Sequence, residues 1–284
     1  MLYLLVKGIN GFGNMISVLS VVYDLAQKSN RTLVIDWSHP EWRLGFSRYF
    51  KFKDGIKYME YDEFIKTIGI KKNIRVYPEC FKNKLNNGLI DLFPNIDSIP
   101  NEYQRIFGKI PEMVNLKKID VCVFSYNYCG FDLVPNLFGN INLNDELKLK
   151  IREKIKNINS KYKSIHIRHT DIKNDDLTWV YNFIDTNTHI QIYVATDSES
   201  LLDELKSKYS NIINYTTFYE RDKPLHIQQL TVEEKNIVNE DLISDLILLI
   251  NADELKITPI KTRPWMTTYS MLAMILFMNK IKLI

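Results

Sequence analysis

The apolar positions of the chain gather into short unbroken runs separated by longer amphipathic stretches. Leu2 to Val6 and Arg31 to Ile35 are two such runs, with a helical period from about Met15 to Ser29 between them. Unbroken apolar runs of about four to eight residues fit strands buried on both faces. Ile74 to Tyr77 and Val121 to Ser125 read as further short strands. Past residue 142 the alternation becomes regular. A helix opened by Asn144 and running to about Asn157 is followed by strand 163–168, helix 177–184, strand 190–195, helix 199–208, strand 211–215, helix 234–250, strand 254–258 and an apolar helix over 269–280. Strands and helices in this order make a parallel sheet with helices on both faces. The expected fold class is therefore α/β, with two Rossmann-like domains at 1–142 and 143–284.

Composition narrows the function classes. A chain of 284 residues, 45% hydrophobic and 25% charged, can build two separate cores. A net charge of +3 is too mild for a nucleic-acid binder, which carries a strong basic patch. Cys80, Cys122 and Cys129 are few and odd in number, which suits a reducing cytosol better than a disulfide framework. Met1 to Val6 lacks the basic start of a signal peptide, and the apolar tail Met271 to Met278 is far short of a membrane span. These features predict a soluble, cytoplasmic protein with no membrane span. No metal-ligand cluster and no Asp-x-Asp is present in the sequence.

The first strand leads into Gly8-Ile-Asn-Gly11-Phe-Gly13-Asn14, a glycine loop that opens a helix. Such a loop lets a ligand approach the backbone. Its spacing is Gly-x-x-Gly-x-Gly, not the Gly-x-Gly-x-x-Gly of a dinucleotide fingerprint. A short-chain reductase also needs Tyr-x-x-x-Lys on a helix. Tyr219 to Lys223 carries the letters in a loop before Pro224, and Tyr3 to Lys7 carries them in a strand. From His39 to Phe52 the chain is irregular, and Trp42, Phe46, Tyr49, Phe50 and Phe52 read mainly as core, with sugar stacking as the other use of such rings.

The most informative stretch runs from Lys163 to Asp176. Ile165 and Ile167 alternate with His166 and Arg168, so the last two share one face of a strand. A polar loop with Thr170, Asp171, Asp175 and Asp176 follows. Ligands of open α/β sheets sit beyond the carboxyl ends of the strands, and the arginine fork there fits a diphosphate. The plainer role for Arg168 is a pair with Asp171. Two other positions also carry two roles each. Asp197 stands where a cap of helix 199–208 is expected, and Asp245 is a carboxylate among aliphatic residues on helix 234–250.

His166-x-Arg168-x-x-Asp171 at a strand end resembles the donor-site motif of the fucosyltransferase superfamily, whose usual form is His-x-Arg-Arg-x-Asp; here His169 replaces the second arginine. Four more segments match that superfamily in order. Gly11-Phe-Gly13-Asn14 resembles its N-terminal Gly-x-Gly-Asn, with the Arg-Thr-Leu-Val-Ile-Asp-Trp string after it. Ala195-Thr-Asp197 resembles a recurring strand end, Asp245 stands eight residues before Asp253 of an Ala-Asp pair, and Thr268-Tyr-Ser270-x-x-Ala resembles the segment that meets the β-phosphate.

The resemblance implies a GT-B fold, two Rossmann-like domains facing each other across a cleft. It also implies inverting, metal-independent transfer of fucose from GDP-fucose to a glycan acceptor. It makes Arg168 catalytic and places His166, Arg168, Asp197, Asp245, Thr267, Thr268 and Ser270 on the donor, with Asp245 reading guanine. Gly11, Gly13 and Asn14 fall at the cleft. A catalytic glutamate ten residues after the motif histidine maps onto Asp176, while Asp175 and Asp176 equally suit the start of the next helix. The implied partners are a GDP-sugar and a glycan, with no cofactor. The rivals are a transferase for another GDP-hexose, an NAD(P)-dependent reductase, and a nucleotide- or glycan-binding protein without catalysis.

Overall fold

The computed structural model describes residues 2–8, 11–38, 42, 45–68, 74–77, 79–81, 85, 118–124, 130–158, 161–170, 176–223, 228–258 and 267–284. They divide into two units, Met1–Asn142 and Leu143–Ile284. Both are parallel α/β sheets, as the runs of apolar residues predict. No helix among the described residues is long and apolar enough to cross a membrane.

The first unit is built from β1 (Tyr3–Lys7), α1 (Phe12–Ser29), β2 (Thr32–Asp36), β3 (Phe50–Phe52), β4 (Tyr58–Glu60), α2 (Tyr61–Ile68), β5 (Val76–Tyr77), β6 (Val121–Phe124), α3 (Val134–Gly139) and β7 (Ile141–Leu143). Its main sheet has the order β4-β2-β1-β6-β5, with every pair parallel, and β3 and β7 form a separate two-stranded sheet. β1 and β6 are buried along their whole length, which is why they read as unbroken apolar runs. Cys122 lies in β6, and burial pushes its thiol up to about 11. Trp42, Phe46, Tyr49, Phe50 and Phe52 are all buried, at 8% exposure or less. They pack on one another and on Phe12, so these rings are core, as the sequence mainly reads them.

The Arg-Thr-Leu-Val-Ile-Asp-Trp string does local work in this unit. Arg31 donates to the carbonyls of Tyr3 and Ile119, tying the amino ends of neighbouring strands. At the other end Lys7 and Asp36 form a buried pair at 2.7 Å. Asp36 also accepts from the Ser38 N–H and hydroxyl, so the buried carboxylate is satisfied. Trp37 packs over Gly8, where a Cβ would lie 2.6 Å from its Cδ1. Gly8 therefore serves close packing. Gly130 does the same for α1: its N–H and C=O bond Ser17 and Ser20, and a Cβ there would lie 2.1 Å from Val21 Cγ2.

The second unit holds α4 (Asp145–Lys156), β8 (Tyr162–Ile167), α5 (Thr178–Asp185), β9 (Gln191–Thr196), α6 (Glu199–Lys208), β10 (Ile212–Ile213), α7 (Val232–Asn251), β11 (Glu254–Ile257) and α8 (Thr268–Met278). The sheet order is β10-β9-β8-β11, again parallel throughout. Asn144 caps α4 as expected, accepting from the Glu146 N–H at 2.9 Å. α7 starts two residues earlier than the periodicity suggests, because Thr231 and Glu234 close a capping box. The strand expected over 211–215 shrinks to Ile212–Ile213. Asn214 turns its side-chain amide to the Val194 carbonyl and to Thr216, which ends the ladder.

Candidate functional site

Parallel pairing brings three strand ends of the second unit together. His166 is opposite Ala195 of β9 and Ile257 of β11, so Arg168, Asp197 and Thr258 follow side by side at the carboxyl edge. This is where ligands of such sheets bind.

His166 is buried. Its Nδ1 lies 2.9 Å from Ser270 Oγ, and its ring centroid is 5.1 Å from that of Tyr269. Burial pushes its pKa down to about 4, with Asp197 pulling upward and the Arg168 charge downward. The imidazole is thus neutral at pH 7. Thr258, which the sequence reading did not single out, holds the strand end in register. Its N–H and hydroxyl both donate to the His166 carbonyl, at 3.0 and 3.1 Å, and its oxygen accepts the Arg168 N–H at 3.0 Å.

Arg168 pairs with Asp197, Nη1 to Oδ2 at 2.9 Å. The other candidate partner, Asp171, lies outside the described residues. Asp197 also accepts the His169 N–H at 2.8 Å and the Thr170 hydroxyl. It is not the cap of α6. Ser198 takes that position, its side chain accepting the Leu201 N–H. The cap expectation fails by one residue because the loop after β8 claims Asp197.

Asp245 is buried on α7. Oδ1 accepts from the Tyr193 hydroxyl at 2.5 Å and Oδ2 from the Thr216 hydroxyl at 2.9 Å. Burial raises its pKa to about 7. The Tyr193 and Thr216 bonds and Lys154 oppose the rise, and Asp241 adds to it. Tyr193 and Thr216 had no signal in the sequence, since their role exists only through contacts 52 and 29 residues away. Tyr269 neighbours His166 and feels the charge of this carboxylate. Its ring is tilted 48° to that of His166, its hydroxyl donates to the Leu242 carbonyl at 2.8 Å, and burial and the Asp245 charge both raise its pKa.

α8 opens beside these groups. Thr267 caps it, accepting the Ser270 N–H at 3.1 Å, and Thr268 is its first residue. Ser270 is tied into the same cluster. Its side chain is fully enclosed, and its hydroxyl contacts His166 Nδ1 and Thr267 Oγ1. Ser270 therefore backs His166 at the start of α8. Asp176 stands just before Leu177, the N-cap of α5, with Oδ1 accepting the Thr178 N–H at 3.1 Å. Asp175 lies outside the described residues.

The remaining candidates belong to the first unit. Gly11 is the N-cap of α1, and a Cβ added there meets nothing within 4 Å. Gly13 and Asn14 lie in the first turn of α1, and the Asn14 N–H donates to the Gly11 carbonyl at 2.9 Å. The segment Tyr219 to Lys223 is a turn in which Lys223 pairs with Glu220, unlike a reductase's catalytic helix.

Structural comparison defines the class of fold. The chain superposes on the NodZ α-1,6-fucosyltransferase soaked with GDP-fucose, with a TM-score of 0.68 and 18% identity, over 96% of this chain and 92% of that one. The selenomethionine form of NodZ from Bradyrhizobium gives 0.65 and 16%, over 96% and 91%. A mutant of Arabidopsis thaliana FUT1 in complex with GDP gives 0.56 and 14%, over 97% of this chain and 68% of that one. The chain thus has a fucosyltransferase-like α/β fold. No family model matches its sequence. No curated protein matches it either.

Proposed function

We propose that this chain is a glycosyltransferase that moves fucose from GDP-fucose to a glycan acceptor, with inversion and without a metal. The observation that carries the proposal is the convergence of His166, Arg168 and the start of α8 at three adjoining strand ends, in a fold shared with chains prepared with GDP-fucose and GDP. The leaving group is a diphosphate. Arg168 and the N-terminal turn of α8, at Thr267 and Thr268, supply positive charge where negative charge develops. Asp197 acts on the donor through Arg168. The second unit is the donor-binding domain, and the first, with Gly11, Gly13 and Asn14, takes the acceptor side. The sequence has no Asp-x-Asp, which supports metal-free transfer.

Asp245 is the reader of the base. Guanine offers N1–H and a 2-amino group side by side, and each carboxylate oxygen has a second lone pair beyond the one Tyr193 or Thr216 uses. Reading both donors requires the ionised form. With its pKa raised to about 7, Asp245 must lose a proton to bind guanine. GDP affinity is therefore expected to rise from about pH 6 to pH 8, by up to roughly tenfold, with a proton released on binding. His166, pushed down to about 4, is already neutral across that range. Without nucleotide the sign reverses. The folded unit holds a proton that the unfolded chain gives up near pH 4, so this group's stabilising contribution is present below about pH 4 and lost as pH rises through about 7.

A thermal-shift series tests the assignment. GDP should raise the melting temperature, while ADP and UDP should not. Asp245→Asn should lose about 1.5–3 kcal/mol of GDP affinity, the range for a hydrogen bond to a charged group. Equal stabilisation by UDP, or an affinity that falls as pH rises, would remove Asp245 as the base reader.

A further inference from the structure

We infer that Asp197 is the positioning residue that aims Arg168, by gathering the three residues after β8 around one carboxylate. The inference rests on the transfer reading above and deepens it. β8 and β9 are paired up to Ile167 and Thr196, so the next residues, Arg168 and Asp197, leave the sheet together. The Asp197 side chain is only 6% exposed. It takes Arg168 Nη1 at 2.9 Å, the His169 N–H at 2.8 Å and the Thr170 hydroxyl. An ionised carboxylate this enclosed is costly without donors, and these three come from consecutive residues. The helix after β9 does not need it, because Ser198 is the cap. Its whole set of contacts described here therefore serves the loop that carries Arg168.

Arginine is long and has many rotamers to lose when it grips an anion. Holding one rotamer in advance removes that loss from donor binding and fixes the fork for the transition state. The pair also offsets part of the Arg168 charge. Attraction for a diphosphate is weaker for it, and aim is better. These two effects give the clamp a signature that a purely structural residue lacks. Asp197→Asn keeps an oxygen for the His169 N–H and removes the charge. It should hold or tighten GDP affinity while lowering kcat roughly 10- to 100-fold, the size of one hydrogen bond to a charged group.

The test is a double-mutant cycle on kcat with Asp197→Asn and Arg168→Ala, joined to the 15N NMR order of the Arg168 Nε–H in the wild-type and Asp197→Asn chains. Asp197→Ser, which also lacks the charge, replaces Asp197→Asn in both arms if the asparagine variant does not fold. The expected result is that the Asp197 substitution costs almost nothing once Arg168 is alanine, and that Arg168 Nε–H order falls when Asp197 is changed. Additive losses, or an Arg168 side chain as ordered as in the wild type, would overturn the clamp. A wild-type chain that releases no GDP from any GDP-sugar overturns the transfer reading instead. The NMR arm, which needs no donor, still decides the clamp in that case.

Discussion

Arg168→Ala is expected to lower kcat by roughly 10²–10³, the scale of losing one strong stabiliser of transition-state charge. The site geometry makes this a demanding expectation. Arg168 is already paired with Asp197, so alanine removes the group facing the donor and also leaves Asp197 with two donors where it had three. Some loss of melting temperature should accompany the loss of rate. Arg168→Lys separates the two effects. Lysine keeps a positive charge for Asp197 but presents a point charge where arginine presents a planar fork. It should recover stability almost fully and turnover only in part. Near-wild-type turnover in the alanine variant would take Arg168 out of the mechanism.

The second large effect concerns the proton of the acceptor hydroxyl. Inverting transfer needs a base as the hydroxyl attacks, and general bases contribute about 10²–10⁴ in rate. We propose Asp176, ten residues past His166, as that base. In the structure it also supports the first turn of α5, one residue before the cap Leu177, by accepting the Thr178 N–H. Asparagine keeps an oxygen for that N–H and is as good a residue at helix starts, so Asp176→Asn leaves the local structure in place. GDP-fucose affinity and melting temperature should stay the same while most transfer is lost. Unimpaired transfer with a saturating acceptor would reduce Asp176 to its local role and move the search to carboxylates of the first unit.

The central strands were legible because parallel strands are buried on both faces, whereas β3, β4 and β7, three residues each, were not read. Tyr3–Lys7, Val121–Phe124 and Gln191–Thr196 are apolar almost throughout. Element ends were less so. α1 begins at Phe12, three residues before its apolar period, because Gly11 caps it without a side-chain bond. Gly13 and Asn14, read as loop, are thereby helical. In the site, His166 and Arg168 could be found from a strand end alone. What they touch could not. Ser270 meets His166 across 104 residues, and the His169 N–H meets Asp197 across 28. Local pattern carries a residue's place on a strand or helix, whereas a hydroxyl's partner is decided by which elements the sheet order makes neighbours. Thr267 is the intermediate case: the helix start was readable, and its cap bond to Ser270 is local.

The central claim is transfer from GDP-fucose, and acceptor-dependent GDP release tests it most directly. Purified chain is given GDP-fucose, GDP-mannose or a UDP-sugar, with and without a panel of glycan acceptors, in the presence of a chelator. The account predicts GDP release from GDP-fucose that rises with one class of glycan and is unchanged by the chelator. No release from GDP-fucose above the acceptor-free background, while GDP still raises the melting temperature, would contradict it and leave a nucleotide-binding protein without transfer.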